Sequence, residues 1–372
     1  MRDNILLKLA SGERLTYSEG VYLFREFNLH ELGVMADSIR CDLHGDNTYY
    51  VVNAHINPTN ICKVCCPLCA FAAVEGDVRG YVLGLDEILR LVESAANNNV
   101  TQIHIVCSIH PSKSFSWYRE IISTIHSAFP LIHIKAYTAV EIAYFSEASG
   151  KSIYEVLSEL RSCGLSSLPG GGAEIFDESI RQKIAPNKIS ADVWLNVHRV
   201  AHSLGMVTNA SMLFGHIETC EHRVGHLIRL RDLQDESISK RSSGDVNKSG
   251  GGDDFNGGGY FDCFVPLVYH GANTELSRTT SIEPISPQDI LKTIAVARLI
   301  LRNIIHIKSY WVTLGESLAQ VALSYGADHF DGTVFEEKIH HEAGANTPKG
   351  LTEKQIQKLI TDAKKIPIKK NF

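Results

Sequence analysis

At 372 residues with a formal net charge of −6, the chain is long enough for one large α/β unit or two modest ones. Its 44% apolar and 21% charged residues are ordinary for a globular protein, and the mixed signs leave no basic footprint for nucleic acid. No stretch approaches the roughly 18 uninterrupted apolar residues of a membrane span, and the first residues, MRDNILLKLASGERL, are too polar for a signal-peptide core. A cytoplasmic setting with reduced thiols is therefore expected, with no membrane or nucleic-acid partner.

Residues 1–49 read as a partly helical extension. Beyond them, short β-branched runs alternate with longer amphipathic ones. Strands are expected near 50–57, 101–107, 131–138, 165–168, 206–213, 262–269, 306–313 and 328–334. Between them, LDEILRLVESAANNN (85–99) spaces Ile88, Leu91, Val92 and Ala95 by three or four, the helical period. SIYEVLSELRSCG (152–164) carries a capping box, Ser152 with Glu155, and stops at Gly164. SADVWLNVHRVAHSLG (190–205) opens on Ser190 and stops at Gly205, and PQDILKTIAVARLILRN (287–303) opens on proline. LTEKQIQKLITDAK (351–364) reads as a terminal helix.

Eight strands alternating with helices predict an α/β fold, a (β/α) barrel of the TIM type, with a doubly wound open sheet as the alternative. The expected place for residues 1–49 is a layer over the barrel bottom. Residues 50–350 would form the barrel and 351–372 a C-terminal helix and tail. One segment stands apart: 236–259 holds seven Gly and five Ser, too little apolar surface to offset ordering entropy, and is expected to be a disordered insertion.

Ligand sites in either fold lie at the carboxyl ends of the strands. Directly after the first strand, INPTNICKVCCPLCAFAA packs Cys62, Cys65, Cys66 and Cys69 into one short loop, out of nine cysteines in the chain. Three uses compete. Small buried hydrophobes would suit a helix face at 62, 66 and 69, but Pro67 and the turn-like NPTN argue against that helix. A zinc ribbon needs its two CxxC pairs well separated, and here Cys62/Cys65 and Cys66/Cys69 abut. CxxxCxxC, using Cys62, Cys66 and Cys69, would hold an iron–sulfur cluster by three thiolates and leave one iron open.

GGG at 170–172 follows a strand and could bring backbone N–H groups close to a ligand, without matching a dinucleotide or P-loop pattern. Glu141, Glu174 and Asn209 fall at strand ends, and His216, His270 and Arg223 near the same face. Glu141, Glu174 and Asn209 could equally be satisfied polar groups at the barrel rim, Arg223 a solvated helix charge, and the histidines ordinary surface or core residues. HExxH and G-x-S-x-G are absent, so hydrolase readings lack a metal or nucleophile motif.

From about 50 to 345, the chain resembles radical S-adenosylmethionine (SAM) enzymes and, among them, the aminofutalosine synthases of menaquinone biosynthesis. The resemblance rests on HINPTNIC (55–62), HIKAYTAVEI (133–142), SLPGGGAEIF (167–176), NASMLFGHIET (209–219), IKSYWVTLG (307–315) and DGTVFEEKIHHEAGA (331–345). It implies a [4Fe-4S] cluster on Cys62, Cys66 and Cys69, SAM as co-substrate, and an electron donor such as flavodoxin or ferredoxin. It also implies that Cys107, Ser108, Glu141, Gly170, Gly171, Gly172, Glu174 and Asn209 line the cofactor. The family's substrate, 3-[(1-carboxyvinyl)oxy]benzoate, carries two carboxylates, for which Arg223 is the first expected ligand, with His216 and His270 beside it. Leu68 stands where the family usually has an aromatic residue, and Cys107–Ser108 where it has two glycines. The alternatives are dehypoxanthine futalosine cyclase, a deazaflavin-forming relative, or a cluster-binding homologue with impaired catalysis.

Overall fold

The computed structural model describes residues 1–243 and 258–371. β1 (Asn47–Val51) and β2 (Asn53–Ile56) are two halves of one stave, interrupted at Val52. They are followed by β3 (Gln102–Ile105), β4 (His133–Ala136), β5 (Thr208–Phe214), β6 (Phe261–Val268), β7 (His306–Ile307), β8 (His329–Gly332) and β9 (Ile366–Lys369). Every pairing between these strands is parallel, in three segments ordered β2-β3-β4, β5-β6-β7 and β8-β1-β9.

Single bridges join the segments into a ring. Lys135 to Ser167 and Leu168 to Thr208 insert the short run 167–168 between β4 and β5. Lys308 to His329 links β7 to β8, and Ala54 to Phe335 carries β2 onto the chain after β8. The sheet therefore closes as an eight-stave parallel barrel and is not an open doubly wound sheet. All seven residues of β5 are buried, as a parallel strand covered by helices on one side and barrel filling on the other requires.

Helices form where the apolar spacing and caps place them. Helix Leu85–Asn97 buries Ile88, Val92 and Ala95 along one stripe. Helix Ile153–Ser162 starts under the Ser152–Glu155 capping box, and Ser190 caps helix Ala191–Ser203. Helix Pro287–Ile300 is nearly all buried, because the amino-terminal helices cover its outer side.

Three expectations need correction. The amino-terminal helices Arg2–Ser11, Tyr17–Glu26 and Leu29–His44 do not form a plate over the barrel bottom. The second and third pack along the outside, on helices Cys220–Ser243 and Pro287–Ile300, and meet the lower rim along its edge, through His44 at the Ile305 carbonyl and through Gly33 and Ala36 at the Tyr325–Gly326 turn. The segment 236–259 is not disordered from its start, since helix Cys220–Ser243 runs through its first third and buries Ser237 against His202. Residues 244–257 lie outside the described residues. Finally, helix Glu353–Asp362 is followed by β9, which pairs with β1 and directs Lys370 onto Asp262 at 2.5 Å.

Candidate active site

The cysteine loop leaves β2 at the carboxyl end of the barrel and is pinned along its length. Asn57 donates its side-chain amide to the Val106 carbonyl at 2.9 Å, and the Thr59 hydroxyl donates to the Tyr81 carbonyl at 2.7 Å. The Asn60 side chain donates to the Arg79 carbonyl and accepts from Tyr81 N–H, both at 2.9 Å. The NPTN stretch is thus a side-chain ladder to the returning strand of chain. Cys62 N–H donates to the Ala73 carbonyl and Cys69 N–H to the Cys66 carbonyl, which holds the loop as a compact coil.

Cys62, Cys66 and Cys69 line one cavity of about 310 Å³ at the mouth of the barrel. Cys65 does not. It is exposed, sits in the left-handed region at φ +48°, and places its sulfur 3.1 Å from the Cys62 carbonyl oxygen. Burial raises the Cys66 thiol to about 11 and raises Cys69 as well, while the Lys188 amine pulls both down. Lys188, which the sequence did not single out, is ion-paired with buried Glu174. Burial alone would discharge that amine, but the Glu174 carboxylate and the thiols keep it a cation. A fixed positive charge beside two buried thiols is what a thiolate-bound group needs.

The spread of the cysteines discriminates between metals. A zinc ion takes sulfur at about 2.3 Å, so three thiolates sharing one would stand within roughly 4 Å of one another. Among the described residues, the one trio of potential ligands within 4.8 Å is His44, His306 and Asp328, at the opposite end of the barrel. There Arg298 already neutralises Asp328, so the trio is a satisfied ion-pair network. The wider cysteine triplet fits a cluster in which each thiolate meets its own iron.

The rest of the cavity wall comes from strand ends around the ring. Cys107 and Ser108 follow β3, with the Cys107 thiol buried and its N–H donating to Glu141 at 2.8 Å. Gly170, Gly171 and Gly172 cross between staves, and a Cβ on Gly170 would stand 2.6 Å from the Ala210 carbonyl carbon. This close backbone approach is the reason for glycine there. Glu174, Asn209 and His270 also line the cavity, His270 with its Nε2 3.0 Å from the Thr313 carbonyl oxygen.

His216 and Arg223 are placed elsewhere. Arg223 spends its guanidinium on Glu218 at 2.8 Å, Asp289 at 2.7 Å and Thr293 at 3.0 Å. His216 pairs with the same Glu218 at 3.0 Å. Burial works against ionising Glu218, but the hydrogen bond and charge of His216 and the charge of Arg223 hold it far below the ordinary carboxylate range. Neither residue faces the cavity. The cavity instead holds polar groups from inside the staves: His55, Gln102, His104, Lys135 and the Lys308–Asp331 ion pair. Their signal in the sequence was charge at inward positions of otherwise apolar strands, as in HIKA.

Comparison with known proteins agrees with this geometry. The radical SAM superfamily model matches residues 56–230, and the CofH/MqnC C-terminal region model matches residues 258–372. The aminodeoxyfutalosine synthase of Thermus thermophilus is 39% identical over 98% of this chain and 92% of its own. The chain belongs to the radical SAM superfamily. The cyclic dehypoxanthine futalosine synthase of Halalkalibacterium halodurans is 32% identical, over 98% of this chain and 92% of its own. The crystal structure of methylornithine synthase has a TM-score of 0.71 and 16% identity, covering 98% of this chain and 97% of its own, a likeness of fold. A radical SAM enzyme implies a [4Fe-4S] cluster, SAM and a small-molecule substrate. No helix of the described residues is long and apolar enough to cross a membrane.

Proposed function

We propose that this radical SAM enzyme is an aminodeoxyfutalosine synthase, joining the 5′-deoxyadenosyl group of SAM to 3-[(1-carboxyvinyl)oxy]benzoate. Rearrangement and decarboxylation would give 6-amino-6-deoxyfutalosine, with methionine as co-product. The observation that carries the reading is the 39% identity to an aminodeoxyfutalosine synthase along nearly the whole of both chains, against 32% to the cyclase.

In this reading Cys62, Cys66 and Cys69 hold the cluster, and Cys65 stands aside. When bound, the cluster supplies the electron that cleaves SAM. The chain itself positions and excludes. Lys188 stabilises the thiolates through the field of its buried amine. The Gly170–Gly172 backbone, Ser108, Glu174 and Asn209 offer polar contacts to SAM, while Glu141 fixes the loop that carries Cys107 and Ser108. Apolar walls such as Val265 and Leu267 keep water and competing hydrogen donors from the reacting carbon.

Anaerobic reconstitution followed by reductant, SAM and each candidate substrate tests the assignment. Formation of 6-amino-6-deoxyfutalosine from the benzoate ether is expected. Turnover of dehypoxanthine futalosine alone would assign the cyclase reaction instead, and SAM cleavage with neither would overturn both.

A further inference from the structure

Resting on that function, we propose that Lys135, Gln102 and His104 form the seat of the substrate's ring carboxylate, inside the barrel and below the cofactor. Lys135 is 7% exposed, lies on β4 and lines the cavity, yet no hydrogen bond or ion pair within the described residues reaches its amine. The nearest acids are already committed, Asp331 to Lys308 and Asp262 to Lys370. Burial, with the neighbouring Lys308 charge, lowers Lys135 to about 7. A buried cation without its anion is unfavourable, and an incoming carboxylate removes the imbalance.

Two further polar atoms on the same side of the cavity lack partners. Gln102 Nε2 and His104 Nε2 are both buried without a hydrogen bond. Strand register sets His104 directly beside Lys135, with Gln102 two residues earlier on β3. His104 Nδ1 lies 3.2 Å from His55 Nε2, and in the tautomer where His55 donates, His104 Nε2 carries a proton. Burial keeps both imidazoles neutral, His55 at about 4. The Lys135 ammonium, the Gln102 amide N–H and, in that tautomer, the His104 Nε2–H are donors from three residues that line the same cavity, and together they match the lone pairs of a carboxylate.

Depth decides which carboxylate. Lys135, Gln102 and His104 lie within their strands, whereas the cysteines lie in the loop beyond the end of β2. The enolpyruvyl carboxylate adjoins the reacting vinyl carbon and must stay near the cofactor, so the ring carboxylate is the one that reaches inward. Arg223, with its guanidinium already consumed, has no part in this.

Calorimetric titration of the cluster-loaded protein, with SAM present and reductant absent, tests the seat. The probes are 3-[(1-carboxyvinyl)oxy]benzoate and its analogue with a carboxamide in place of the ring carboxylate. Wild-type protein should bind the acid at least tenfold more tightly than the amide. Lys135→Met should bind both equally weakly, and Gln102→Leu should lose several-fold for the acid alone. Tight wild-type binding without preference for the acid overturns the seat and leaves the function standing. A Lys135→Met protein that loads its cluster and keeps the preference does the same. No wild-type affinity for the dicarboxylate overturns the function and the seat with it.

Discussion

The Glu141 carboxylate accepts a hydrogen bond from Cys107 N–H at 2.8 Å while its other oxygen accepts from Thr138 N–H at 2.6 Å. One side chain thus fastens the loop after β3 to the first turn of helix Ala139–Ser149, and the cavity wall to the barrel. Burial pushes Glu141 up to about 7, against the Thr138 and Cys107 donors, which pull it down. A raised folded-state value means a stabilising contribution present below the ordinary 4.5 and lost as pH rises through about 7. Glu141→Gln places an amide NH₂ against an N–H donor and should cost ~1–3 kcal/mol. Because glutamine does not ionise, the gap between wild type and variant in urea unfolding should narrow from pH 5 to pH 8. A gap that widens over that range would contradict the assignment.

Lys188 and Glu174 neutralise each other beside the cysteines. Replacing Lys188 by Met leaves a buried carboxylate without its cation, a loss on the order of 3–5 kcal/mol. The thiols of Cys66 and Cys69 also lose the charge that lowers them. Cluster uptake by Lys188→Met should therefore be several-fold slower near neutrality and recover as pH rises. Uptake curves with the same pH dependence as wild type would remove Lys188 from this role.

Cys65 turns its thiol out of the cavity and Cys66 turns inward. After anaerobic reconstitution, Cys65→Ala should keep the iron content and visible absorbance of wild type. Cys62→Ala, Cys66→Ala and Cys69→Ala should each lose most of both. An intact cluster in Cys66→Ala together with loss in Cys65→Ala would move the middle ligand by one residue.

Gly170 meets the backbone of β5, with Ala210 carbonyl carbon at 2.6 Å and Ser211 nitrogen at 2.8 Å from an added Cβ. Neither neighbour is a side chain that can rotate away. Gly170→Ala should destabilise by ~1–3 kcal/mol and depress SAM binding. Gly225, in helix Cys220–Ser243, has only a Tyr17 ring atom at 3.8 Å. Gly225→Ala should be neutral or stabilise by up to about 1 kcal/mol. Thermal melts of the two variants check both, and equal melting temperatures would refute the contrast.

What could be read from one dimension was whatever depends on near neighbours in the chain. Apolar spacing located the helix that buries Ile88, Val92 and Ala95, and the Ser152 and Ser190 caps marked where helices begin. The grouping of 62, 66 and 69 around one cavity was legible, since a loop that short brings its own residues together. Strand β9 was not legible: IPIK is only four residues, and what orders it is the open edge of β1, more than 300 residues earlier. Arg223 looked free in the sequence because two of its three partners, Asp289 and Thr293, lie on a helix 66 and 70 residues further on. Lys135 looked like any charged strand residue, and only closure of the ring turned it inward and spent every nearby acid on another lysine. Local propensity belongs to the chain, whereas the partner of a charge is chosen by packing, and in this protein that choice decides which cations remain for a ligand.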